Sequence, residues 1–137
     1  MRISAELVER AEVRINPNLE RELSLRGFSI PAIENMAATR DGFDAWDLSN
    51  NRIVRLENLP RLERLKSLYC SGNIIEAIDA RNLKENAPNL QSLTLSDNNI
   101  SSLREIVNIG EACSHLEDLS LIGNPVTSKS FFLSNCS

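Results

Sequence analysis

The side chains able to carry chemistry in this 137-residue chain are few and poorly grouped for catalysis. The single histidine, His115, has no nucleophile at a recognisable spacing, and no glycine-rich phosphate loop is present. Cys70, Cys113 and Cys136 lack C-x-x-C spacing and suggest neither a zinc site nor a disulfide framework. Asn99-Ile100-Ser101 and Asn135-Cys136-Ser137 match the glycosylation sequon, but without a secretory signal the match reads as accidental. The chemistry to expect is recognition, not turnover: no enzyme, no cofactor, no metal and no small-molecule substrate. What recurs is a set of amides, hydroxyls and acids held at fixed distances between leucines, and that points to a binding surface.

The spacing that positions them is clearest in Leu90, Leu93, Leu95, Asn98, Ile100 and Leu103, which spell L-x-x-L-x-L-x-x-N-x-I-x-x-L. The frame recurs as Leu65, Leu68, Cys70, Asn73, Ile75, Ile78 and as Phe43, Trp46, Leu48, Asn51, Ile53, Leu56. Two copies are imperfect. One has Leu116, Leu119, Leu121, Asn124 and Val126; the other has Leu23, Leu25, Ile30 and Ile33, opens on Glu20 and carries Phe28 in the asparagine slot. Starts at 20, 43, 65, 90 and 116 lie 23, 22, 25 and 26 residues apart. This is the period of a leucine-rich repeat, and it predicts an α/β solenoid of about five repeats with a concave parallel β-sheet.

Each L-x-L centre alternates apolar and polar residues, the signature of a strand with one buried face. Stacking places Leu23, Trp46, Leu68, Leu93 and Leu119 in one internal column and Leu25, Leu48, Cys70, Leu95 and Leu121 in another. Asn51, Asn73, Asn98 and Asn124 follow the strands at the bend, where a carboxamide can bond backbone groups left unpaired. Among the return segments, Ser102 with Glu105 forms a capping box ahead of Ile106, Ile109 and Cys113 at helical spacing. Asp79 caps a shorter helix that Pro88 terminates, and the Asn58-Leu59-Pro60 return is too short for much helix.

A solenoid must cover its apolar ends. Ser4, Leu7, Val8 and Ala11 read as a capped amphipathic helix, so residues 1–19 are expected to form an N-terminal helical cap, 20–126 five repeats and 127–137 a partial C-terminal cap. Phe131, Phe132 and Leu133 are the candidates for closing that second end. They are few for a full cap, so the chain reads as a fragment of a longer protein.

Composition agrees with one soluble domain: 42% of residues are apolar, and no stretch approaches the ~20 apolar residues of a membrane span. The charged start excludes a signal peptide, which makes the expected setting intracellular. Net charge is −4, all of it from residues 67–137, which hold four basic and eight acidic side chains. Residues 1–66 hold eleven of each. The most basic short stretch is Arg52, Arg55, Arg61, Arg64 and Lys66, a candidate contact for a phosphate backbone.

Residues flanking the inward leucines point to the concave side. The expected partner contacts are Glu22, Ser24 and Arg26; Asp47 and Ser49 beside Ala45; Ser67, Tyr69 and Ser71; Thr94, Ser96 and Asp97 beside Ser92; and Asp118 and Ser120 beside Ile122. This face is small, polar and scattered with acids, so it suits a basic helix, with Tyr69 as its aromatic anchor.

Beyond the repeat, Arg21-Glu22-Leu23-Ser24-Leu25-Arg26-Gly27-Phe28-Ser29-Ile30-Pro31-Ala32-Ile33-Glu34-Asn35 is a far more specific string. With Phe43-Asp44-Ala45-Trp46-Asp47-Leu48-Ser49-Asn50-Asn51 and Gly123-Asn124-Pro125-Val126-Thr127, it resembles the A-prime family of the U2 small nuclear ribonucleoprotein over nearly the whole chain. The resemblance implies a nuclear spliceosomal scaffold for pre-mRNA splicing. It would cradle the first helix of the RNA-recognition-motif protein B double-prime on its concave sheet, as a heterodimer holding a U2 small nuclear RNA stem-loop mainly through that partner. It also implies that Arg26, Arg52, Arg55, Arg61, Arg64 and Lys66 face the RNA backbone. Trp46 and Cys70 depart from the aliphatic residues usual in their slots, and the capping segment after Ser128 departs from the family pattern. The alternative is another intracellular leucine-rich-repeat adaptor, of the phosphatase-regulatory or axonemal type, with no RNA role.

Overall fold

A computed structural model describes residues 1–128. A helix α1 (Ala5–Arg10) leads into strands β1 (Glu12–Ile15) and β2 (Arg21–Ser24), and then β3 (Ala45–Asp47), β4 (Arg55–Leu56), β5 (Ser67–Tyr69) and β6 (Ala77–Ile78). Helix α2 (Ala80–Asn86), β7 (Ser92–Thr94), helix α3 (Leu103–Ala112) and β8 (Asp118–Ser120) follow, with 3₁₀ turns at Met36–Thr39 and Pro125–Thr127. The main sheet has the order β1-β2-β3-β5-β7-β8, and β4 pairs with β6 in a second, two-stranded sheet. From β2 to β8 every pairing in the main sheet is parallel, in the register Leu23, Trp46, Leu68, Leu93, Leu119. One inward column is thus a continuous apolar ladder, buried apart from Leu119, which is half-buried in the last strand described. Burying each such side chain contributes roughly 1.5–3 kcal/mol before chain entropy is counted. Trp46 and Cys70 fill their unusual slots completely buried, and burial pushes the Cys70 thiol up to about 12, leaving it protonated and inert.

The asparagines form a second ladder. Asn98 Oδ1 accepts from the Ile75 amide of the preceding repeat at 2.9 Å, while its Nδ2 donates to Cys70 O at 2.9 Å and Leu95 O at 3.0 Å. Asn73 and Asn124 bond the adjoining repeats in the same way. Asn51 serves the imperfect first copy, accepting from both Phe28 N and Ile30 N at 3.0 Å. The first copy has no parallel repeat before it for an asparagine at this slot to bond, and Phe28 sits there exposed.

Directly before this ladder runs a column of left-handed residues: Gly27, Asn50, Gly72, Asp97 and Gly123, with φ of 76°, 58°, 70°, 56° and 85°. Glycine, asparagine and aspartate tolerate this region best. Their order also matters sterically. A Cβ at Gly72 would run into the Asn50 carboxamide, and one at Gly123 into the Asp97 carboxylate. Each side chain of this column leans onto the glycine of the next repeat.

The return segments depart from expectation in one detail. Ser102 caps α3 by accepting from Arg104 N at 3.2 Å, but Glu105 does not complete a capping box: its Oε2 accepts from Ile78 N, at 3.1 Å, in the repeat before. The unpaired amide at the end of β6 outcompetes the helix's own start. Asp79 caps α2 through Asn82 N at 3.0 Å, as its sequence predicts.

The N-terminal segment differs more. Helix α1 forms with Ser4 as its cap, but residues 12–15 are not part of a helical cap. They form β1, antiparallel to β2, so the sheet is not wholly parallel. Glu12, Val13, Arg14 and Ile15 alternate in polarity and precede Asn16-Pro17-Asn18, the pattern of a strand running into a turn. At the other end Val126 is buried and Ile122 is 77% exposed. Phe131, Phe132 and Leu133 lie outside the described residues.

Candidate functional site

The concave face is not uniformly open. The Asn16–Glu20 turn folds over its N-terminal half, and Arg14 Nε lies 2.7 Å from Glu22 Oε2. Glu22 is only 2% exposed as a result. Ser67 Oγ donates to Glu20 Oε2 at 2.7 Å, an interaction that ties the turn to β5. Asp47 Oδ1 accepts from Ser49 N at 3.0 Å, and Arg26 Nη1 stands 4.0 Å from Asp47 Oδ2. Glu22, Asp47, Ser49 and Ser67 are therefore buried, where the period-two pattern alone expects solvent-facing contacts. Glu22 is engaged by Arg14 and Asn16, Ser67 by Glu20, and Asp47 by the Ser49 amide, as a buried charge must be paired to be tolerated.

Ser24, Tyr69, Ser71, Thr94, Ser96 and Ser120 are half-buried, and Arg26, Asp97 and Asp118 are exposed. Between the turn and these strands lies a hollow of about 420 Å³, lined among others by Pro17, Asn18, Arg26, Tyr69, Ser71 and Thr94. Tyr69 lies on its floor. Burial, with the carboxylates of Glu20 and Glu22, pushes the tyrosine hydroxyl above its ordinary value despite hydrogen bonds to Ser67 and Asn18. It remains a protonated, amphipathic contact. With its carboxamide oxygen turned to the guanidinium, Asn50 accepts from Arg26 Nη2 at 3.0 Å and Nε at 3.1 Å, fixing Arg26 at the rim.

The two halves of the trough differ in charge. In the first, Arg14 and Arg26 offset Glu22 and Asp47. In the second, Asp97 and Asp118 meet no opposing cation among the described residues. The described cations after Lys66 are Arg81, Lys84 and Arg104, all on α2 and α3 and away from the concave sheet. Asp118 accepts from Ser92 Oγ at 3.3 Å, and Ser96 and Ser120 share a hydroxyl contact at 2.6 Å.

The basic stretch does not become one patch. Arg64 Nε bonds Asp44 Oδ1 at 2.9 Å, and with the Arg21 amide this holds the Asp44 carboxyl below the usual carboxylate range. Arg61 Nη2 lies 3.0 Å from Glu63 Oε1, and Arg61 Nη1 donates to Glu85 O at 2.6 Å. Arg55 belongs to the second sheet, whereas Arg52 and Lys66 are exposed near opposite ends of the strands. Among the described residues, no group of three or more His, Cys, Asp or Glu could hold a metal. No described helix is long and apolar enough to cross a membrane.

Comparison with known proteins agrees with this architecture. A family model described as "Leucine-rich repeat" matches residues 1–135. U2 small nuclear ribonucleoprotein A' of Mycosarcoma maydis is 45% identical over 127 residues, covering 93% of this chain and 51% of that relative. The human protein of the same name is 40% identical over 132 residues, covering 96% and 51% respectively. The chain thus spans about half the length of the curated relatives it matches. The crystal structure of the Drosophila melanogaster SNF/U2A' complex contains a chain that superposes with a TM-score of 0.89 at 42% identity, covering 96% of this chain and 75% of that one. With the ladders, the concave sheet and these matches in agreement, the chain belongs to the leucine-rich repeat family, in its U2 small nuclear ribonucleoprotein A' group.

Proposed function

We propose that this chain is a non-catalytic scaffold of the U2 small nuclear ribonucleoprotein, working in the nucleus in pre-mRNA splicing. Its concave face holds a helix of an RNA-recognition-motif protein of the B double-prime type, and the pair holds a U2 small nuclear RNA stem-loop, mainly through that partner. The observation that carries the reading is the trough itself: a polar floor around Tyr69 with acids at Asp97 and Asp118 that no described cation opposes, on a fold shared with a chain of the solved SNF/U2A' complex. A basic helix is the element such a trough accepts. Likeness to A' proteins supports this reading over the phosphatase-regulatory or axonemal alternative.

The candidate RNA contacts sort by what already engages them. Arg26, Arg61 and Arg64 are tied to Asn50, Glu63 and Asp44. Arg52 and Lys66 keep exposed cationic ends, and Arg55 is exposed on the other sheet. The test of the protein pair is direct. The purified chain, mixed at micromolar concentration with the B double-prime protein of the same organism, should elute from size exclusion as one heterodimer; two separate peaks refute the proposal.

A further inference from the structure

The turn between β1 and β2 combines two anomalies in one residue. Leu19 has φ 62°, in the left-handed region that a branched side chain avoids, and it is 83% exposed, the most of any large apolar side chain described. Burial in this chain does not hold it there. The turn does, because it is fixed from below by Asn16, itself buried. Asn16 Oδ1 accepts from Asn18 N and Glu20 N, both at 3.0 Å, and Asn16 Nδ2 donates to Glu20 Oε1 at 3.1 Å and Glu22 Oε1 at 3.3 Å. The backbone closes with Leu19 N donating to Asn16 O at 2.9 Å and Asn16 N donating to Glu20 O at 3.0 Å. Strain held by so complete a network marks a site where conformation serves something other than folding. Glycine or asparagine would meet the backbone's demand without exposing an apolar side chain.

The turn's place says what it serves. Pro17 and Asn18 line the hollow, so the tip stands at the N-terminal rim of the trough, beside the half whose charges are already paired. The far half holds Asp97 and Asp118, which no cation among the described residues opposes. A helix lying across both halves passes the turn that carries the exposed Leu19 at one end and Asp97 and Asp118 at the other.

We propose that the Asn16–Glu20 turn is a preformed rim anchor in which Leu19 takes the apolar end of a partner helix whose basic end lies over Asp97 and Asp118, fixing the direction of that helix. This rests on the concave face being the helix-binding surface, as proposed above. The strained turn bears its conformational cost before binding, so the anchor adds contact without adding a mobile side-chain platform to order.

Titration calorimetry against the B double-prime protein of the same organism, with thermal melts of each variant, tests this. Leu19→Gly relieves the strained backbone, so the melting temperature holds or rises while Kd weakens about tenfold. Leu19→Asp weakens it further. Asp118→Arg weakens binding too, and acidic replacement of the partner helix's basic end restores affinity, whereas replacement at its other end does not. If the wild-type pair forms but the Leu19 variants bind as tightly, or rescue comes from the opposite end, the anchor is overturned and the concave reading stands. Failure of the wild-type pair to form overturns both.

Discussion

Single residues in this solenoid are constrained by their counterparts one repeat away more than by their own neighbours. Gly72 shows this most sharply, because it meets two demands at once: a φ of 70° and the absence of a Cβ where the Asn50 carboxamide lies. Gly27, with φ 76°, meets only the first, since nothing stands within 4 Å of a Cβ placed there. Urea denaturation should therefore show Gly27→Ala losing about 1 kcal/mol and Gly72→Ala losing about 2–3 kcal/mol. Equal losses would mean that the Asn50 carboxamide yields without cost. The asparagine ladder was legible in the sequence because its slot is tied to the leucine spacing. The left-handed column was not: nothing in hydrophobic periodicity reports φ, although the types at 27, 50, 72, 97 and 123 are those the conformation favours.

At the scale of elements, the repeat strands of the concave sheet were legible, whereas β1 and the strands' solvent exposure were not. Period-two alternation identifies which side chains face the concavity, but Glu22, Asp47, Ser49 and Ser67 are covered by a turn that lies elsewhere in the sequence and by bonds between strands. The same holds for Glu105, whose spacing from Ser102 suggests a local cap while its carboxylate serves Ile78 one repeat back. Local patterns describe a helix's options, and tertiary donors choose among them. The strand face still makes a clear prediction. Tyr69→Ala with Asp97→Lys removes the aromatic floor and reverses an acid that no described cation opposes, so it should weaken the proposed heterodimer at least tenfold while circular dichroism stays as in the wild type and stability falls by only about 1–2 kcal/mol, the cost of lysine at a left-handed position and of the lost tyrosine contacts. Unchanged affinity would move the interface off β5 and β7. Asp97 is chosen with Lys, not with a small residue, because the charge is the feature under test and its left-handed backbone is already occupied by a side chain.

For the molecule as a whole, the distribution of charge matters more than its total. The net value of −4 conceals an array whose concave acids are offset by arginines near β2 and β3 and meet no described cation near β7 and β8, while the described cations after Lys66 lie on the outer helices. Such an object orients a partner more than it attracts one. If the chain adds to RNA binding, it does so from the exposed cations near the strand ends. Reversing Arg52 and Lys66 to glutamate should then lower the salt dependence of ternary-complex formation by a slope of about 0.7–0.9 for each phosphate no longer neutralised, without dissolving the protein pair. An unaltered slope assigns the RNA to the partner alone. The alternation of Asn50 and Asp97 with Gly72 and Gly123 carries a different consequence, for lineage. Excising the third repeat would set Asp97 against Asn50, two side chains competing for one space, whereas excising the third and fourth together would return a glycine to Asn50. The second or fourth repeat could be lost alone, since Gly27 would then meet Gly72, or Gly72 meet Gly123, so the column makes the glycine-bearing third repeat the one that cannot be lost by itself, a rule that the period of the leucines does not reveal.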